Sequence, residues 1–211
     1  MLLESLRNAS EADVFVTLFS EVGDQLSQWR AYSPTGSGYA IGLAPRTLRQ
    51  AHGNSDRLHL LRCLYQPSEH IAALERLIGL AEDYIDEHKV AQSDDPDRVY
   101  REAFKLFAIW LPMVAAVIKH SSFSEEREWR LIAPATFFDE QSVRVRPGMS
   151  TLVPFKRFVL GENDVAIAVD EIVVGPTPHP SLAVEAVAAL CESTALRNTR
   201  VYSSRIPFRA W

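Results

Sequence analysis

Apolar residues recur along this chain with two periods, and the change from one to the other divides it into three stretches. As far as Tyr65 the pattern favours extended chain. Asp13-Val-Phe-Val-Thr-Leu-Phe19 has the β-branched and aromatic bias of a buried strand, Tyr39 to Leu43 predicts a second, and Arg57 to Tyr65 a third. Residues 1 to 9 read as the tip of a helix. Asp24 stands where it can cap a short helix whose Leu26 and Trp29 fall three apart on one face. Pro34, Gly36 and Gly38 then force a turn, and Pro45, at a first helical position, begins a short helix to His52.

In the middle stretch the period lengthens. After Ser68, Ile71, Leu74, Leu77, Ile78, Ala81 and Ile85 recur at steps of three and four, the mark of an amphipathic helix. A polar break from Gln92 to Asp97 precedes a second helix that runs to Lys119 past Pro112. From Arg127 the texture is extended again: Glu128 to Ile132, Gln141 to Arg146, Leu152 to Leu160 and Val165 to Gly175. Val143 and Val145 alternate with Arg144 and Arg146, as on a strand with one wet face. Pro180 to Glu192 predicts a short helix and Arg200 to Ser204 a closing strand. These elements predict one α+β domain, residues 1–211, in which a mixed, mainly antiparallel sheet carries a two-helix hairpin inserted at about 67–120.

Composition narrows the picture. With 47% apolar and 23% charged residues the chain has ordinary globular usage. A formal net charge of −5 argues against a surface that neutralises phosphate throughout, while leaving room for a local basic groove. Cys63 and Cys191 are far apart and lack metal-ligand spacing, so both read as small buried hydrophobes; the histidines form no paired metal motif. The apolar window Phe104 to Ile118 contains Lys105 and Pro112 and is too short to span a bilayer, so it reads as a buried helix. The opening residues lack the profile of a secretory signal, and a bacterial-type cytoplasm is expected with no membrane partner.

Chemistry concentrates in two segments. In Phe123-Ser-Glu-Glu-Arg-Glu-Trp-Arg130, an extended chain would align Glu126, Glu128 and Arg130 on one face and send Trp129 and Leu131 into the core. Two acids so close either share a ligand, with one displaced toward base or electrostatic work, or are neutralised by Arg130 in an ion-pair ladder on the wet face. In Phe19 to Tyr32, Ser20 at a strand end is either a ligand-orienting hydroxyl or a local strand terminator, and Trp29 and Tyr32 are either ligand contacts or core. Lys119-His120 suits a helix C-terminus.

With these residues in hand, the chain resembles a bacterial family known as domain of unknown function 2971. Phe19-Ser20, Trp29, Tyr32, Gly38 and Gly42 match its first block, and Lys119, Phe123, Glu126, Glu128, Trp129 and Arg130 match its K...F..E.EWR block. Glu171 to Pro176 and Ser204 to Arg209 are similar to its closing eI.iGP and S.iPyR elements. Family members open on a further lYhY segment, which has no counterpart here. The family name records no reaction.

More distantly, the order of a Ser-bearing strand and an ExE strand is similar to ADP-ribosyltransferases. That resemblance implies an enzyme using NAD, in a setting such as stress response or phage defence, with a protein or nucleic-acid acceptor and no metal. It makes Glu128 catalytic, Glu126 the acceptor-positioning acid and Ser20 the orienting hydroxyl. Trp29 and Tyr32 would line the nicotinamide slot, with Arg130 also on the cofactor side; the residue that binds the cofactor ribose would fall in the opening segment. Glu128→Gln should then abolish NAD consumption and leave thermal stability nearly unchanged. The alternative is a noncatalytic protein-interaction or nucleic-acid-binding module in which Glu126, Glu128 and Arg130 form a structural network.

Overall fold

The computed structural model describes residues 14–44, 46–48, 58–88, 94–134, 143–157 and 169–209. The predicted opening helix, Pro45 and the end of its helix at His52 lie outside them. The architecture is α+β, with the strands of the described residues distributed over three small sheets, and contacts divide the chain into two compact units, 1–19 with 57–157 and 20–56 with 158–211.

The first unit holds a three-stranded sheet in the order β1 (Val14–Ser20), β4 (Glu128–Pro134), β3 (His59–Arg62), apart from Ser20, which falls in the second unit. β3 and β4 are antiparallel, with His59 opposite Ile132 and Arg62 opposite Trp129. Between them in sequence come α2 (Pro67–Glu87) and α3 (Pro96–Ala115), which pack together as the expected hairpin. Each starts where a side chain satisfies backbone N–H groups that the first helical turn leaves without partners. At α2 the cap position is Gln66, which forms a reciprocal capping box with Glu69, and Pro67 follows at the first position. At α3, Asp95 accepts from the Arg98 N–H at 3.0 Å. Met113 and Val117 bury against Ile132 of β4, with Val14, Leu64 and Ala116 around them, so the end of the hairpin seats on the sheet.

Three sequence expectations are corrected in this unit. Helix α3 stops at Ala115, short of Lys119, because Val117 to Lys119 leave the helix to bond with Leu64. It is amphipathic rather than buried throughout, since Val99, Ala103 and Met113 are buried while Ile109 is exposed. Among the described residues strand β5 (Arg144–Pro147) pairs with β6 (Leu152–Phe155) alone, and all four residues of β5, Val145 among them, are exposed rather than alternating between a wet and a dry face.

The second unit contains α1 (Leu26–Tyr32) and a sheet in the order β2 (Tyr39–Leu43), β7 (Val169–Val174), β8 (Arg200–Ser203). β2 is antiparallel to β7, placing Tyr39 opposite Val174, whereas β8 is parallel to β7, placing Ser203 opposite Val174. A parallel neighbour requires a crossover, and α4 (Pro180–Glu192) supplies it, packing on both strands. Ile172, Val173 and Val174 are buried in a run, as expected of a central strand. Among the described residues no helix is long and apolar enough to cross a membrane.

Candidate functional site

Two arrangements stand out, one in each unit. The first is a charge cluster built where α3 ends. Leu64 N–H donates to Val117 O at 2.8 Å and Lys119 N–H donates to Leu64 O at 3.0 Å, which anchors Lys119 beside the extension of β3. A 3-10 turn, Ser121–Glu126, follows, and Arg127 then adopts a left-handed conformation at φ 43° before β4 begins at Glu128. Glu126 and Glu128 therefore do not share one extended run, contrary to the sequence expectation. They meet instead through a common cation, because Lys119 Nζ lies 2.5 Å from a carboxylate oxygen of each.

Glu128 is 3% exposed and fully engaged. Its Oε2 accepts from Lys119 and its Oε1 from Arg130 Nε at 2.5 Å. Its backbone N–H donates to the Tyr65 hydroxyl at 2.9 Å, and its carbonyl accepts from Cys63 N–H at 2.9 Å. Arg130 also donates to Ala116 O at the end of α3, where a cation complements the helix dipole. The acid-bearing face of β4 is thus turned toward α3, and the ladder expected on a wet face is a buried network. Leu131 is buried as expected, while Trp129 is only partly so.

The electrostatics follow from this enclosure. Burial alone would raise the Glu128 carboxyl, but hydrogen bonds and charge from Arg130 and Lys119 outweigh it and hold the group below its ordinary range. Burial likewise works against the Lys119 ammonium, and Glu126 and Glu128 more than compensate, so its pKa rises. Burial pushes the adjacent Cys63 thiol up, a rise that the pull of Arg130 and Lys119 does not cancel. An ionised, doubly bridged carboxylate beside a protonated thiol is poor material for a general base or a nucleophile.

The second arrangement is a cleft of about 460 Å³ in the unit that holds α1. Sheet topology explains where it lies. Because β7 and β8 are parallel, the turn after Val174 and the tail after Ser203 leave the sheet at the same end, and the antiparallel β2 brings the loop before Tyr39 there too. Pro176, Ile206 to Arg209 and Ser33 to Gly36 therefore meet, with Leu26, Trp29 and Arg30 of α1 closing the cleft. Open sheets commonly bind ligands beyond the carboxyl ends of parallel strands.

Asp24 holds this arrangement together and is not the helix cap predicted for it; the cap position is Gln25. One Asp24 oxygen accepts from Trp29 Nε1 at 2.8 Å and from Ser204 Oγ at 2.6 Å, and the other accepts from the Arg205 N–H at 2.8 Å. Burial would raise this carboxyl, but the Ser204 and Trp29 donors and the Arg205 backbone and charge hold it below its ordinary value. Close packing completes the site. Gly36 sits at φ +77°, and a Cβ on Gly175 would lie 2.9 Å from the Trp29 ring.

The residues singled out in the sequence are divided between these places. Glu126, Glu128 and Arg130 are drawn together in the first unit, with Lys119 and Phe123, over whose ring the ammonium lies at 5.1 Å. Trp29 lines the cleft of the second unit; Tyr32 is 64% exposed and does not. Ser20 also belongs to the second unit, where its hydroxyl donates to Val22 O and accepts from Val22 N–H, the strand-terminating arrangement. Sequence reasoning did not place Arg30, Phe208 or Arg209 at a common cleft. The only signal for them was the tail segment Ser204 to Arg209, whose meeting with α1 depends on a parallel strand pair that periodicity does not reveal.

The class defined by fold and geometry is a small α+β protein with a closed charge cluster and an open, aromatic-walled cleft. The family described as Protein of unknown function (DUF2971) matches residues 28–131, and the chain resembles that family as its sequence blocks imply. The matched stretch takes in Trp29, Tyr32, Gly38, Gly42 and the whole segment from Lys119 to Arg130. No curated protein and no solved structure matches the chain.

Proposed function

We propose that this chain is a noncatalytic binding module whose ligand enters the cleft of the second unit, and that the Glu126, Glu128 and Arg130 network is architectural. The observation that carries this reading is the state of Glu128: 3% exposed, with each carboxylate oxygen held by a cation. A carboxylate that stabilises developing positive charge on a substrate must face that substrate. Here Lys119 and Arg130 already occupy the positions from which a cation could approach.

One observation favours the rival, an ADP-ribosyltransferase-like enzyme acting on NAD in stress response or phage defence. Trp29 and two arginines at the cleft offer an apolar slot for nicotinamide and cations for a pyrophosphate. Binding NAD and transferring from it are separable. The test is NAD consumption by the wild-type chain and by Glu128→Gln, measured beside thermal unfolding. The module reading expects no turnover by either protein and a lower melting temperature for the variant. Turnover that disappears in a variant of unchanged stability would restore the enzyme.

A further inference from the structure

The chemistry lining the cleft narrows what it can hold. Its lining is mostly apolar, with Phe208, Ile206, Pro207 and Pro176 from the turn and the tail and Leu26 and Trp29 from α1. The Trp29 indole N–H is already given to Asp24, so this ring presents carbon rather than a donor to a ligand. Two guanidinium groups, Arg30 and Arg209, lie at the same cleft, and no Asp or Glu lines it. Among the described residues neither arginine has a carboxylate partner, in a chain whose formal net charge is −5. Some cations elsewhere are paired, among them Lys119 and Arg130 with Glu128 and Arg200 with Glu171.

We infer that the cleft binds a small aromatic anion, a flat ring system bearing a phosphate or a carboxylate, with the ring between Phe208 and the Trp29 edge and the anion on Arg30 and Arg209. The volume, about 460 Å³, falls within the range of small-molecule sites. Guanidinium suits either anion, since its planar fork can donate two parallel hydrogen bonds to phosphate or carboxylate oxygens. The ring supplies what a free inorganic anion lacks, burial of apolar surface against the cleft walls.

This inference rests on the cleft being the binding site, and calorimetric titration of the full chain tests the two claims separately. The probes are 1-naphthyl phosphate, 1-naphthoate, 1-naphthol and inorganic phosphate. The expected result is binding of one or both aromatic anions at least about tenfold tighter than of naphthol or inorganic phosphate. If only one of the two anions binds, it identifies the source. In the double variant Arg30→Gln and Arg209→Gln, both exposed and outside the core, the preference for the anion should vanish while naphthol binding persists. Naphthol binding as tightly as the aromatic anions would overturn the ligand class and leave the cleft as the site. Inorganic phosphate binding as tightly as naphthyl phosphate, or a double variant that keeps the preference, would overturn it as well. Loss of NAD turnover in Glu128→Gln would instead strike at the binding-module reading, whatever the naphthyl titrations give.

Discussion

At the scale of single residues, the two acids that carried the most interest in the sequence have an environment that spacing could not disclose. The pattern Glu-Glu-Arg-Glu-Trp-Arg does place Glu128 and Arg130 on one strand face, and that much was legible. What no period conveys is the left-handed Arg127, which takes Glu126 out of the strand, or Lys119, which arrives from the end of a helix to join both acids. The consequence for Glu128→Gln is a loss of stability, reversing the sequence expectation. Breaking a fully buried pair costs about 3–5 kcal/mol, and because Lys119 and Arg130 retain some solvent the expected loss is roughly 2 kcal/mol, read from urea unfolding. The pH dependence has a definite sign. Glu128 is held below its ordinary value when folded, so its contribution is complete above the usual carboxylate range and disappears as pH falls through the depressed value. Lys119 is raised when folded, so its contribution is present below the usual ammonium range and disappears as pH rises through the raised value. The variant should therefore show a flatter acid limb and a shallower alkaline limb that is complete at lower pH. Asp24 makes a parallel case. Asp24→Asn keeps an acceptor but loses the charge that gathers Trp29, Ser204 and Arg205, and should cost about 1–3 kcal/mol while speeding proteolysis of the tail after Ser203.

At the scale of elements, the parts with a strong local signature were readable. Strand β2 and helix α4 fall where predicted, because five residues of extended character, Tyr39–Leu43, and a helix opened by Pro180 are local statements. The end of α3 was not readable, since apolar residues continue past Ala115 and only the competing bonds to Leu64 stop the helix. The same holds for the exposed Ile71 and Ile78 of α2, whose spacing marks the helix correctly without saying which side is covered. Glycines tell more about element contacts than their composition suggests. Gly175→Ala would drive a methyl group into the Trp29 ring, an overpacking expected to cost about 1–3 kcal/mol and to shift the indole emission as Trp29 is displaced. The same substitution should weaken binding at the cleft, as the ring forms part of its wall.

At the scale of the whole molecule, the two units are interleaved in sequence. Each is made of an early and a late segment, so no single excision yields either one intact. The family match, residues 28–131, begins in one unit and ends in the other, and it stops before β7 and β8, on which the cleft depends. A fragment limited to 57–157 would lack β1 and so leave one edge of β4 without its neighbour, beside the buried Leu131, Ile132 and Ala133. Such an edge invites pairing between chains. The fragment should elute as oligomers on size exclusion, whereas the full chain with Asp24 and Glu128 intact should give a single species.

The reversal at Arg127 makes the loop between helix and sheet a measuring device. Side chains alternate across a strand, so a one-residue slip of β4 toward that loop would present the Trp129 indole, in place of a carboxylate, to the ammonium waiting there. The loop also carries Lys119 and Glu126 themselves, so both its length and those two identities set the contact.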